Sequence, residues 1–357
     1  MRRFILFILV LCNIFSENIA QSETMLALDW YNNWLASINE YGVFKVVNTS
    51  NQQILLNINP SQQVLLNEAT VKFSNNGAYL AIGIQKSLIV YTTQNWQLQS
   101  VFEVGEPTGL ADTEFYEGVE GIVSIAWKPS NDYIALSTLS NRIVVIDLSA
   151  NQVIKNVEFG NIPAQFNWYT NTTELWSGSI GIDYQNLELI PSFVQVPSID
   201  YSPGTTVITT SSLSPNRMRY AYSDVFGRLR TVDLPSRNAD TVINDLYPDL
   251  ITSLDWSSDG TRLAIADVSG SIHIWNQVEK ELSLLVENTT SVNAIAFNPN
   301  GNEIAYGGDN TPIQFIDVPL DQPSPTPSPT FTPTPAVVCN TTVASGNSAG
   351  SPYVICL

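Results

Sequence analysis

The chain has one histidine, three cysteines and 15 lysines and arginines among 357 residues, and each shortage removes a class of function. A lone histidine cannot form a histidine metal cluster. His273 lies midway along an alternating apolar run, on the same face as Trp275, where a packed or hydrogen-bonded imidazole fits better than a general base. Residues 21–318 hold no cysteine, so neither thiolate zinc ligands nor a disulfide stabilises the body of the chain. A GxSxG elbow and a phosphate-cradling glycine loop are also missing. With 33 acidic residues the formal net charge is −18, which speaks against nucleic acid and against an anionic membrane surface, since both select clustered Lys and Arg. Charged residues are only 13% of the chain, against about 25% in an average domain. Such a surface suits an exported protein kept soluble by negative charge.

Long apolar runs are scarce too. The one at the N-terminus, residues 4–15 after Met1-Arg2-Arg3, has the charge and length of a secretory signal and is short for a bilayer crossing. Cleavage is expected near Ala20, which makes residues 1–20 a signal peptide and places the mature chain outside the cell, secreted or on the cell surface, without membrane insertion. An uncleaved anchor is the alternative. Leu9-Val10-Leu11-Cys12 makes a poor lipoprotein box because Leu11 is not small.

What the chain does have is repetition. In residues 251–276, ITSLDWSSDGTRLAIADVSGSIHIWN, apolar residues alternate with period two, and Ser258-Asp259-Gly260 and Val268-Ser269-Gly270 supply turn residues. That pattern predicts three antiparallel strands joined by hairpins. Gapless copies occupy residues 122–147, 208–233 and 292–317, and looser ones surround Trp30, Phe73 and Trp168. The anchors Trp30, Phe73, Trp127, Trp168, Leu213, Trp256 and Phe297 recur every 41 to 45 residues, except for 54 between Phe73 and Trp127. This is the period of a four-stranded propeller blade, with the fourth strand drawn from residues such as 281–287.

The copies resemble WD repeats: an apolar residue and Ala in the second strand, then closing pairs such as Trp275-Asn276, Ile316-Asp317, Ile146-Asp147, Val232-Asp233 and Val47-Asn48. The resemblance covers about residues 24–318 and implies an all-β, seven-bladed propeller over residues 21–318. It also implies a strand from the other terminus joining the last blade. Cleavage near Ala20 leaves the seventh blade short of that strand, unless residues 336–343 return to supply it. The family's Gly-His is missing, and the Asp of its second hairpin is replaced by Ser269, Ser140 and Asn310. The buried network that joins those residues to the Trp is therefore not expected, and cohesion is expected to lean on apolar packing between blades.

The extra length between Phe73 and Trp127 falls in residues 105–120, GEPTGLADTEFYEGVE. Loops of that kind lie on the face WD-repeat proteins use for partners, so Glu106, Asp112, Glu114, Phe115, Tyr116, Glu117 and Glu120 are the expected binding residues. The plain alternative is a solvated acidic loop. No ladder of alternate Asp residues suggests calcium, and no metal or cofactor is expected. Aromatic residues at 166–176 could stack on sugars, but Trp168 is an anchor and Trp176 fills the small-residue site, so packing explains both. Sequons stand at Asn48, Asn171, Asn288 and Asn340.

Residues 319–335 include seven prolines interleaved with Ser and Thr, a semi-rigid linker of roughly 50 Å at about 3.1 Å per residue. The tail, residues 336–357, weakly resembles the opening of secreted parallel β-helix proteins. Its Cys339 and Cys356 form an even pair able to bridge in an oxidising compartment, worth roughly 3 kcal/mol to the tail that carries them. The whole implies an exported, monomeric, non-catalytic protein-binding platform. The alternative is an extracellular carbohydrate-active enzyme or sugar-binding propeller that uses carboxylates in its channel.

Overall fold

The computed structural model describes residues 23–59, 69–104, 121–140, 142–158, 165–169, 172–177, 180–190, 208–225, 227–236, 238–243, 249–287 and 290–319. Residues 105–120, Cys339, Cys356 and the sequons at Asn171, Asn288 and Asn340 lie outside them, as do the expected signal peptide and nearly all of the expected linker and tail. Among the described residues the chain forms seven antiparallel sheets and no helix. Each sheet is a simple meander in which every strand pairs with the next in sequence.

The innermost strands of blades 1 to 7 are Met25–Tyr31, Ala69–Phe73, Ile122–Trp127, Asn167–Trp168, Ile208–Leu213, Ile251–Trp256 and Val292–Phe297. Each packs beside the next, and Met25–Tyr31 also packs against Val292–Phe297, which closes the ring. Six of the seven anchors are the last residues of these strands and Trp30 is the last but one, as the period predicts. In blade 6 the expected strands are Ile251–Trp256, Arg262–Asp267, Ser271–Asn276 and Glu281–Glu287.

Alternation along each strand puts one set of side chains against the preceding blade and the other against the following one. The core is therefore a series of clusters lying between blades. Leu254, Trp256, Leu263, Ile265 and Trp275 of blade 6 join Ala221 and Leu229 of blade 5, while Ala264, Ala266, Ile272 and Ile274 join Val292, Ile295, Phe297 and Ile304 of blade 7. Ring closure uses the same device, with Leu28 and Leu35 on Ala294, Ala296 and Ala305.

Blade 7 differs from the rest. It has three strands among the described residues, Val292–Phe297, Glu303–Gly308 and Thr311–Asp317, where the other six sheets have four. The sequence predicts this shortfall.

Polar cohesion between blades departs from expectation. The strand nearest the axis leaves half of its backbone N–H and C=O groups outside its own sheet, and such groups require partners. Side chains of adjacent blades supply them. Trp127 Nε1 donates to the Lys72 carbonyl at 3.1 Å and Trp256 Nε1 to the Ser212 carbonyl at 3.2 Å, each reaching the preceding blade. In the other direction Asp29 Oδ2 accepts from Phe73 N at 2.7 Å, Asp255 Oδ2 from Phe297 N at 2.7 Å and Gln165 Oε1 from Ser211 N at 2.8 Å. Apolar packing between blades is present as expected, and these polar ties, which the degenerate repeats did not lead one to expect, add to it.

Candidate functional site: the channel and its two mouths

All seven innermost strands line one cavity of about 1060 Å³ on the axis. In six blades the residue just before the anchor lines it: Asp29, Lys72, Ala126, Asn167, Ser212 and Asp255. Lys72 Nζ donates to Asp29 Oδ1 at 2.6 Å. Burial opposes the charge on Lys72, but Asp29 and then Asp255 outweigh it and hold the ammonium above its ordinary pKa. Burial pushes the Asp255 carboxyl up to about 6, against the pull of Lys72 and of the Phe297 N–H, with Asp29 adding to the rise. The Lys72 side chain is about half exposed, and its exposure is to the cavity. Both oxygens of Asp29 are engaged, by Lys72 and by Phe73 N, and Asp255 is held by the backbone N–H groups of Phe297 and Trp256. Among the described residues no group of three or more His, Cys, Asp or Glu could hold a metal ion.

The two mouths are unlike. At the end of the channel where the anchors sit, the turns after Ile208–Leu213 and Ala69–Phe73 meet across the opening. Arg217 of blade 5 donates through one terminal nitrogen to the carbonyls of Trp168 at 2.6 Å and Tyr169 at 3.1 Å, and through the other to Asn75 Oδ1 of blade 2 at 2.7 Å. Asn75 passes the link to blade 3, donating to the Lys128 carbonyl at 2.9 Å and Asn131 Oδ1 at 3.1 Å. Arg217 has φ of +58° at a turn position that Gly77, Gly260 and Gly301 fill in blades 2, 6 and 7. A long side chain held in a left-handed conformation is strained, and the strap shows what the strain supports.

The opposite mouth carries the turns between second and third strands. Leu139, Val225 and Val268 sit on those turns in blades 3, 5 and 6, and Leu250 precedes the innermost strand of blade 6; all four are exposed. Leu139, Leu250 and Val268 also line the cavity. Blades 1 and 7 have Glu40 and Asp309 in the corresponding turns. The turns themselves are held by a polar side chain at the end of the second strand. Asp267 Oδ1 accepts from the backbone of Ser269 at 3.0 Å and Ser271 at 2.9 Å, and Asn39 Oδ1 from Tyr41 and Val43.

The WD domain, G-beta repeat model matches residues 246–276 and 279–312, the stretch that builds blades 6 and 7. The chain carries WD repeats. Their propeller resembles the β-propeller domain of Cps50 (Swd1) from Myceliophteria thermophila, with a TM-score of 0.66 and 13% identity over 83% of this chain and 97% of that one. In sequence it is 23% identical over 97 residues to the WD repeat-containing protein VIP3 of Arabidopsis thaliana, a match spanning 27% of this chain and 30% of that protein.

In this WD-repeat propeller the expected binding residues from Glu106 to Glu120 lie outside the described residues. Their flanks are described. Val104 N donates to the Lys86 carbonyl at 2.8 Å, and Gly121 accepts from Leu139 N at 2.9 Å, so both flanks are fastened to the mouth that bears the exposed apolar residues. The aromatic residues at 166–176 are packing, as expected: Trp168 is 1% exposed and Trp176 2%. His273 is partly buried, and burial lowers its pKa against the opposing pull of Asp267, which keeps it neutral near pH 7.

Sequence reasoning missed Asp29, Lys72 and Asp255, together with the Arg217 strap. One signal was available. Leu28-Asp29-Trp30 and Leu254-Asp255-Trp256 repeat a carboxylate immediately before the anchor. No spacing along the chain announces that Arg217 meets Asn75, 142 residues away.

Proposed function

We propose that this chain is an exported, non-catalytic platform that binds a protein partner at the mouth bearing Leu139, Val225, Leu250 and Val268, with residues 105–120 contributing beside it. One asymmetry carries the reading: four exposed apolar side chains from three blades gather at one mouth, whereas the other is crossed by Arg217 and has one such residue, Met218, in its strap turn. Apolar groups clustered on one exposed face are what a docking surface requires. The net charge of −18 sets the partner's chemistry as an apolar centre ringed by Lys and Arg, attracted over distance and seated by contact. WD-repeat propellers generally serve as platforms for protein partners, in keeping with this reading. The platform acts as a monomer, without nucleic acid or membrane insertion.

The test is capture of a partner from the external medium by the purified chain, repeated with Leu250→Asp/Val268→Asp and with residues 105–120 deleted. Capture should fall at least tenfold in the double variant while the melting temperature moves by a few degrees at most. Undiminished capture by both variants would sink the assignment. N-terminal sequencing of protein recovered from the medium should begin near Gln21 if the signal is cleaved.

Asp255 supports a second reading, a channel enzyme acting on glycans, because its carboxyl faces the cavity with a pKa of about 6. Glycan hydrolysis abolished by Asp255→Asn would select it.

A further inference from the structure

Among the described residues the rim of blade 7 is an open sheet edge, and the neighbour it lacks can be specified from the other blades. Five of the six four-stranded blades end in a well-formed outermost strand: Gln53–Ile58, Gln97–Glu103, Gln152–Glu158, Asn238–Ile243 and Glu281–Glu287. In each the first residue is polar and pairs with the last residue of the third strand, as in Asn48↔Gln53, Asp147↔Gln152 and Asn276↔Glu281. The second and sixth residues are apolar: Ile54 and Ile58, Leu98 and Phe102, Val153 and Val157, Ala239 and Ile243, Leu282 and Val286. The rule is polar, apolar, three intervening residues, apolar.

In blade 7 the third strand, Thr311–Asp317, has no such cover among the described residues. Phe315 shows the consequence. It stands two residues before the strand's end, where Val46, Val90, Val145 and Thr231 are fully buried and Ile274 is 6% exposed, yet Phe315 is 49% exposed. Its ring is anchored on one side by Trp30, edge to face at 5.8 Å.

The register shows which backbone groups are free to pair. Val318 N donates to the Asn302 carbonyl, so Ile316 and Gln314, paired with Ile304 and Tyr306, also turn their backbone groups inward. Asp317, Phe315 and Ile313 turn theirs outward. Pro312 falls in the register shift between the Tyr306↔Gln314 and Gly308↔Thr311 pairs, at the start of the edge and before Phe315 and Asp317. At one end of this edge Glu303 and Asp317 are cross-strand partners in a pair without mutual backbone hydrogen bonds, where side chains lie closest. The same pair in blade 5 is Arg219 and Asp233, an ion pair at 3.3 Å. Blade 7 therefore has two carboxylates where blade 5 has a carboxylate and its cation. The sequence just after Asp317 carries seven prolines in residues 319–335, a composition that hydrogen-bonded strands do not use.

We propose that Thr311–Asp317 is a docking edge for an extended strand of a partner protein, running antiparallel to it, with Lys or Arg at its first position and apolar residues at its second and sixth. The strand's backbone pairs with Ile313, Phe315 and Asp317, its cation faces Glu303 and Asp317, and, in the register of the other blades, its second residue lies opposite Ile316 and its sixth opposite Ile313, beside Phe315. A second copy of this chain is a poorer occupant, because two molecules of charge −18 would meet at acidic edges. The edge lies on the ring's outer rim, separate from the channel mouth, so its failure and that of the platform reading are distinguishable.

The experiment uses the full chain and three peptides patterned on its own Gln152–Glu158: KVIKNVE, EVIKNVE and a scrambled control. Amide exchange is followed residue by residue. Ile313, Phe315 and Asp317 should exchange fast in the free chain while Gln314 and Ile316 exchange slowly. Millimolar KVIKNVE should slow the three outward amides at least tenfold, EVIKNVE less, and the scrambled peptide not at all. Asp317→Lys, an exposed substitution compatible with folding, should reverse the preference between the first two peptides. Four outcomes would overturn the proposal: fast exchange that KVIKNVE does not slow; slow exchange that becomes fast when residues 1–22 or residues 320–357 are removed, which assigns the edge to this chain's own segment; slow exchange that becomes fast on dilution, which assigns it to a second copy; and an unchanged peptide preference in Asp317→Lys.

Discussion

Blades 6 and 4 make the same shape from different residues. Blade 6 has strands of six, six, six and seven residues, and blade 4 has strands of two, four, four and two. In blade 6 the second strand places Ala264 opposite Ile274; in blade 4 the same pair is Trp176 opposite Gly181. A Cβ added to Gly181 would stand 2.6 Å from the Trp176 ring, so the glycine is there because the indole lies over it. Side-chain volume has moved across the sheet without being lost. The anchors differ as well. Trp256 Nε1 ties blade 6 to the preceding blade, whereas Trp168 Nε1 donates at 2.9 Å to the Thr172 carbonyl of its own hairpin. The layer spacing of the ring is thus fixed by summed volume, while the donor's partner is free to vary.

Breaking the volume exchange should give the largest effect. Trp176→Ala should cost about 3–5 kcal/mol by leaving a cavity. Gly181→Ile should cost about 1–3 kcal/mol by overpacking, or prevent folding. The double variant, which restores the arrangement of blade 6, should be more stable than the sum of the two losses allows, with a coupling of at least about 1 kcal/mol in urea unfolding. Simple additivity would show that the two positions do not share one space.

Next comes Asp255→Asn. The folded-state carboxyl titrates at about 6, above its ordinary value of 3.8, so its stabilising contribution is complete below pH 3.8 and is lost as pH rises through 6. The shift corresponds to at most about 3 kcal/mol. Asparagine can still accept from Phe297 N and has no such titration. The variant should match the wild-type chain near pH 4 and equal or exceed it in melting temperature at pH 8. A variant that is less stable at pH 8 would show that the Asp255–Lys72 attraction exceeds the cost of burying the charge.

Asp267→Ala removes the acceptor of two backbone amides in the blade 6 turn and should cost about 1–2 kcal/mol. The smallest change is expected from Arg217→Gly. It relaxes a positive φ, worth about 1 kcal/mol, and gives up three hydrogen bonds at the mouth, so the melting temperature should stay within a few degrees of the parent. A fall of ten degrees or more would make the strap a structural support of the ring.

The sequence announces the ring because blade identity rests on local signals: an anchor, a small residue in the second strand and turn residues, repeated at one period. Trp256, Ala264 and Gly260 could be read without any neighbour in view. The site could not, because its geometry joins residues of different blades. Asp29 meets Lys72 from the next blade and acts electrostatically on Asp255, 226 residues along the chain but next but one in the ring, and Arg217 meets Asn75 across the axis. Gly181 is explained only by Trp176 opposite. The family's absent hairpin residues suggested a loss of polar cohesion, whereas Asp267 and Asn39, two residues earlier, secure the same turns.

The Arg217 strap divides the channel at one end and leaves the other end undivided. A probe that enters past Leu250 and Val268 and reaches the far end meets there a guanidinium already committed to three oxygens, so the two ends offer it unlike exits.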